Sequence, residues 1–157
     1  MWAGLMLVGC GYSHPSLFPD DVRTVAVPIF DNRSFYQGIE RDITEAVIKE
    51  IELRTPYKVV DRSRADTLIK ATITRVDQVR LNRRHTGGLP QEQELRVRLD
   101  FAWQDLRTGR TLRERSGFEA VGRYIPAQPV AEPYQVGQHQ ASQRLAQQIV
   151  TVIGAQW

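Results

Sequence analysis

From Leu95 onward the chain alternates apolar and polar residues. Leu95, Val97, Leu99, Phe101 and Trp103 fall on one side, with Arg96, Arg98, Asp100 and Gln104 on the other. A period of two predicts a half-buried antiparallel strand. Leu106-Arg107-Thr108-Gly109 then predicts a hairpin loop, with Gly109 at the position of positive φ. The return strand, Thr111 to Tyr124, places Leu112, Phe118, Ala120 and Tyr124 inward. An earlier strand from about Leu68 to Leu81 sets Ile69, Ala71, Ile73, Val79 and Leu81 on one face, opposite Lys70, Thr72, Thr74 and Arg80. Arg75 and Asp77 intrude on its apolar face and Val76 points outward, which predicts a bulge near Arg75.

Helical spacing appears twice. Ile39, Ile43, Ala46, Val47 and Ile51 make one face of a helix from Gly38 to Arg54, with Glu45–Lys49 and Glu50–Arg54 as i,i+4 pairs on its wet side. A last helix from about Val136 to Ala155 presents Ala141, Leu145, Ile149, Val152 and Ile153. Ahead of the first helix, Thr24 to Phe30 is a short β-branched strand that Pro28 places at a sheet edge or ends, and Asp31 to Ser34 is a turn. Pro56 stops the first helix, Tyr57 to Val60 is a further strand, and Asp61 to Asp66 a polar turn. Pro126, Pro129 and Pro133 mark a connector from Ile125 to Tyr134. The expected fold class is α+β: a two-layer sandwich with two helices packed on one face of a small mixed, mostly antiparallel sheet.

At 157 residues, 41% apolar and 25% charged, the chain suits a single hydrophobic core. No run approaches the roughly 18 apolar residues of a membrane-spanning helix. The net charge of +3 is unevenly spread, acids prevailing from Gly38 to Thr55 and arginines from Arg62 to Arg123. The aromatic residues are not interleaved with those arginines as a nucleic-acid stacking platform requires, so nucleic acid is not the expected partner.

Few residues offer catalytic chemistry. His14, His85 and His139 have no ligand-like spacing, and Gly87-Gly88 lacks the lysine and the following helix of a phosphate loop. No enzyme activity, metal or cofactor is expected. If Trp103 faces Leu112 across the hairpin, the register pairs Asp105 with Arg110, Asp100 with Arg115 and Arg96 with Glu119, which neutralises most of the sheet arginines. It also sets Phe101 opposite Glu114, where a bulge would shift the pairs beyond. Arg80, Arg83 and Arg84 have no such partners nearby in sequence. They lead into the loop Thr86-Gly87-Gly88-Leu89-Pro90, and guanidinium forks at a loop tip are a candidate anion site beside the plainer reading of a solvated loop.

Cys10, the only cysteine, ends Leu7-Val8-Gly9-Cys10 after a short apolar run from Trp2. This resembles the lipobox of a bacterial lipoprotein, in which cleavage falls just before a cysteine that is then acylated. The expected organisation is a signal segment at residues 1–9, a lipidated tether at 10–21 carrying Pro15 and Pro19, and one α+β domain at 22–157.

The chain also resembles a known family. Cys10-Gly11-Tyr12, the strand Val25 to Phe30 followed by Asp31-Asn32-Arg33, the helix to Ile51, Tyr57 to Arg62 with Ala65-Asp66, and the turn Asp105 to Gly109 are similar to the lipopolysaccharide-assembly lipoprotein family LptE. That resemblance implies a lipid-anchored protein on the periplasmic face of the outer membrane, partner and plug of an LptD-type β-barrel, and lipopolysaccharide as ligand. With lipopolysaccharide as the expected ligand, the candidate contacts are Arg80, Arg83 and Arg84 of the loop anion site. The first half of the chain is similar also to lipoproteins that regulate a cell-wall synthase (LpoB-like) or belong to secretion assemblies (CsgG-like).

Overall fold

The computed structural model describes residues 22–81, 92–125 and 133–154. Its elements run in the order β1 (Thr24–Ala26), β2 (Asp31–Asn32), α1 (Ile39–Arg54), β3 (Lys58–Val59), β4 (Thr67–Arg80), β5 (Gln93–Asp105), β6 (Thr111–Tyr124) and α2 (Tyr134–Gly154). Six strands form one sheet ordered β3-β1-β4-β5-β6, and β2 pairs with β4 further along the edge that β1 occupies. The β1, β2 and β3 pairings are parallel, whereas β4-β5 and β5-β6 are antiparallel. Both helices pack on one face of this mixed sheet, as the apolar periodicities imply.

Local chemistry sets the element ends. Gly38 takes φ 93°, a left-handed conformation that costs glycine little, and the Glu40 carboxylate accepts hydrogen bonds from the Gly38 amide at 2.9 Å and from Asn32 Nδ2 at 2.8 Å. α1 therefore starts against the β2 segment. Pro28 does end the pairing of β1, yet β1 lies inside the sheet between β3 and β4 rather than at an edge. The expected turn at Asp31-Asn32 is instead a two-residue parallel strand, continued by a bond from the Arg33 amide to the Ile73 carbonyl at 2.9 Å. At the β5-β6 hairpin, Asp105 accepts from the amides of Arg107 at 2.8 Å and Thr108 at 3.2 Å, and Gly109 takes φ 70°.

The core lies between the sheet and the helices. Ile69, Ala71, Ile73, Leu95, Val97, Leu99, Phe101, Trp103, Phe118 and Ala120 meet Ile43, Val47 and Ile51 of α1 and Ala141, Leu145, Ile149 and Ile153 of α2. Phe101 and Phe118 lie 5.4 Å apart and tilted, as do Tyr57 and Trp103 at 5.9 Å. Offset and tilted rings contribute about 0.5–1.5 kcal/mol beyond their buried area.

Three bulges correct the expected registers. The β4 irregularity falls between Ile73 and Arg75, where a bulge is expected, and turns Val76 inward to 8% exposure. Val79 and Leu81, expected on the apolar face, are consequently exposed. In the hairpin, bulges between Leu99/Phe101 and Trp103/Gln104 pair Trp103 with Arg113, Phe101 with Arg115 and Arg98 with Glu119. Trp103 thus does not face Leu112, nor does Asp100 face Arg115 or Arg96 face Glu119. Asp100 bonds the Gly117 amide at 2.7 Å instead. The first bulge adds a residue to β4 and the two in the hairpin each add one to β6, and every pair beyond is shifted.

The sheet has two unlike ends. Asp66, just before β4, accepts from Thr24 Oγ1 at 2.8 Å and from the amides of Thr24 and Arg23, and its carbonyl accepts from the Leu106 amide. The chain therefore enters the fold at Val22 beside the β5-β6 turn. Arg80 and Gln93 lie at the opposite end of the 14-residue strand β4.

Candidate functional site

At that far end Arg80 is exposed, and among the described residues its guanidinium has no hydrogen-bond or ion-pair partner. It borders a cleft of 380 Å³ with Tyr36, Val76, Asp77, Gln78 and Gln93. Arg83, Arg84 and Cys10 lie outside the described residues, so only Arg80 of the expected site is placed. Behind the cleft, Tyr36 stacks on Tyr134 at 6.3 Å, and Tyr124 meets Tyr134 edge-on at 5.8 Å while donating to Gln93 Oε1 at 2.7 Å. Burial, then the neighbouring Tyr36 and Tyr124, push the Tyr134 phenol up to about 12. Phe35, next in chain to Tyr36, is fully exposed, and Val79 near the end of β4 and Leu81 just beyond it are partly so. The end of the sheet thus combines one uncommitted guanidinium with a stack of phenols and an apolar fringe. That combination suits an amphipathic anion.

Four arginines of the open face are committed elsewhere. Arg96 bonds Glu94 at 2.8 Å and pairs with Glu119 at 3.3 Å, and Arg98 reaches Glu119 at 2.7 Å. Arg123 lies 3.9 Å from Glu92 and 3.7 Å from Glu94, and Arg75 bonds Asp77 at 2.6 Å. The open face of the sheet is therefore a ladder of alternating charge. The inference that cross-strand carboxylates neutralise it holds, although the bulges change the partners. Arg96 and Glu119 pair diagonally rather than directly opposite.

A second cleft, of 530 Å³, lies between β6 and the C-terminal half of α2, lined by Arg115, Gly117, Phe118, Arg144, Gln148 and Val152 among others. The Arg115 guanidinium sits 4.8 Å from the centre of the Phe118 ring. Neither this cleft nor the tyrosine stack was legible in the chain. Tyr36, Tyr124 and Tyr134 flank three different segments, and only the topology brings them together; the one signal is that each borders a loop. Among the described residues no group of three or more His, Cys, Asp or Glu could hold a metal ion, and no helix is long and apolar enough to cross a membrane.

Two helices on one face of a short mixed sheet, with an exposed arginine at one end and a charge-balanced open face, define a two-layer α+β domain. Several solved structures share that architecture. A Caulobacter crescentus protein assigned as a lipoprotein superposes with a TM-score of 0.55 at 18% identity, over 80% of this chain and 87% of its own. A minor lipoprotein from Acinetobacter baumannii gives 0.53 at 16%, over 85% and 93%. PelC from Paraburkholderia phytofirmans, a dodecamer, gives 0.54 at 12%, over 92% and 95%. At such identities the likeness concerns the fold alone. No curated protein matches the sequence. The lipopolysaccharide-assembly family model LptE matches residues 22–153, and the chain belongs to that family. The match takes in all six strands and both helices, ending one residue short of the end of α2.

Proposed function

We propose that this chain is an outer-membrane lipoprotein, anchored through Cys10 once residues 1–9 are removed, that serves as partner and plug of an LptD-type β-barrel during lipopolysaccharide assembly. The observation that carries this reading is the family match over residues 22–153, from before β1 to within the last turn of α2. The tether at 10–21 leads to Val22, and the domain from 22 to 157 does the work by binding rather than by catalysis.

In this reading lipopolysaccharide meets the far end of the β4-β5 pair. Its clustered phosphates and carboxylates suit Arg80, Arg83 and Arg84, since guanidinium groups bind such anions with two parallel hydrogen bonds. The apolar fringe of Phe35, Val79 and Leu81 suits acyl chains close to those anions. Affinity purification of the full chain from detergent-solubilised outer membrane, with partners identified by mass, tests the proposal. A large β-barrel should co-purify in stoichiometric amount. Recovery of a cell-wall synthase or a secretion pore, with no such barrel, would refute it.

A further inference from the structure

Among the described residues, the edge strand β6 is covered along only part of its length. From Glu119 to Arg123, side chains of α2 spaced four residues apart occupy its outer edge. Gln140 accepts from the Arg123 amide at 3.2 Å, Arg144 donates to the Val121 carbonyl, and Gln148 donates to the Glu119 carbonyl at 3.3 Å. An edge strand presents alternate amides and carbonyls that can pair with another chain, and here the helix takes them.

Nearer the hairpin, α2 stands off across the 530 Å³ cleft. Glu114, Arg115, Ser116 and Gly117 are all exposed. Besides the pairing of Arg113 and Arg115 with β5, the Leu112 carbonyl accepts from Arg113 at 2.7 Å and the Gly117 amide donates to Asp100 at 2.7 Å. The register that sets Arg115 opposite Phe101 turns its guanidinium toward the helix side of the sheet, over the Phe118 ring at 4.8 Å and into the cleft. Across the cleft Arg144 adds another cation, whereas Glu119, the carboxylate in the cleft, is held by Arg96 and Arg98.

We propose that the Arg113–Gly117 edge of β6 accepts one added strand from another protein, an extended segment whose alternate carboxylates reach Arg115 and Arg144. Main-chain pairing supplies affinity in such strand addition, and side-chain pockets supply selectivity. The cleft beside Arg115 is that pocket, and α2 ends the added strand where Gln148 covers the Glu119 carbonyl. The positive charge selects an acidic occupant over a second copy, because self-pairing about Glu114 would oppose arginines to arginines. The site is at the side of the sheet, remote from Arg80, so it is independent of the lipopolysaccharide reading.

The test uses the purified full chain in detergent and three synthetic hexapeptides: alternating valine and glutamate, alternating valine and lysine, and the glutamate peptide N-methylated on alternate amides. Amide hydrogen exchange should show protection confined to residues 112–117 with the glutamate peptide alone. Arg115→Glu should weaken that binding at least tenfold, Arg115→Lys much less, and Lys70→Glu on the open face not at all, with circular dichroism showing each variant folded. Equal binding of the N-methylated peptide would reduce the contact to charge and overturn strand addition. Absence of protection at millimolar glutamate peptide, or protection centred on any other element, would overturn the site.

Discussion

Gly122→Ala places a methyl group where α2 already lies. A Cβ at Gly122 would be 1.7 Å from the Gly137 carbonyl oxygen and 3.0 Å from the Ala141 amide nitrogen, both main-chain atoms of the helix. No rotamer change relieves this. Restoring ordinary contact requires α2 to retreat from β6 by more than about 1 Å, and a gap of roughly that size forfeits up to half of the dispersion energy across it. The retreat would also loosen Ala141 and Leu145, both fully buried. Overpacking typically costs about 1–3 kcal/mol, and a clash of main chain with main chain belongs at or above the top of that range. Two other glycines calibrate the number. At Gly137 an added Cβ would meet the Tyr124 ring at 2.8 Å, and a modest shift of that ring is offset by the roughly 1 kcal/mol that alanine gains over glycine in a helix. At Gly117 the space is open but φ is 72°, so the cost is the roughly 1–2 kcal/mol of a left-handed residue. Urea denaturation followed by far-ultraviolet circular dichroism should therefore rank the variants Gly122→Ala, Gly117→Ala, Gly137→Ala from least to most stable. A Gly122→Ala protein within about 1 kcal/mol of wild type would refute the close approach of β6 and α2.

Trp103→Ala, which empties a site 1% exposed, should lower stability by about 3–5 kcal/mol in the same assay, and an unchanged midpoint would contradict the burial. Asp66 is held below the usual carboxylate range, first by the Thr24 hydroxyl and then by the Arg23 and Thr24 amides. Its contribution is complete above the unfolded value near about 3.9 and disappears as pH falls through the lower folded value. The stability gap between wild type and Asp66→Asn should thus be full at neutral pH and close under acid, and a pH-independent gap would refute the assignment. Combined Arg80→Ala, Arg83→Ala and Arg84→Ala should weaken binding of purified lipopolysaccharide at least tenfold without loss of helical signal, at about 1.5–3 kcal/mol for each charged hydrogen bond removed; equal affinities at low and moderate salt would exclude the loop. Cys10→Ser should abolish membrane retention, and mass spectrometry that finds unmodified Cys10 in the mature protein would remove the anchor from the proposal.

The parts of the fold that were legible are those with sustained periodicity. Ile39 to Arg54 and the run from Ala141 to Ile153 repeat at helical spacing, and Leu95 to Trp103 alternates without interruption, so element type and buried face follow from burial alone. Registers were less legible because a bulge is a local event with a distant effect. The intrusion of Arg75 and Asp77 revealed the one in β4, yet its consequence, Val76 inward with Val79 and Leu81 outward, depends on which residue is the extra one. In β6 the poor match of Phe101 with Glu114 announced the insertion found beside Phe101, but nothing in Thr111 to Arg113 announces the second, and Arg115 reads as a solvent residue although it lies on the helix side. Contacts between backbones leave the weakest trace of all: Gly122 and Gly137 signal only that no side chain is there. Of the candidate site, the solvent-facing Arg80 was legible from its lack of a sequence-local partner. The tyrosine stack behind it was not, because Tyr36, Tyr124 and Tyr134 meet only through the sheet order.

The separation of the two ends of the sheet makes the domain a ruler. Fourteen strand residues in β4, at about 3.3 Å each, hold Arg80 some ~45 Å from the point where the chain enters at Val22. A lipid bilayer with its headgroups measures about 40–45 Å. Lengthening the segment before Val22 would move the whole domain without changing that interval, whereas removing a facing pair of residues from each of β4 and β5 would draw the cationic end back by about 7 Å. Reach is thus written into strand length, and orientation into which end the chain enters.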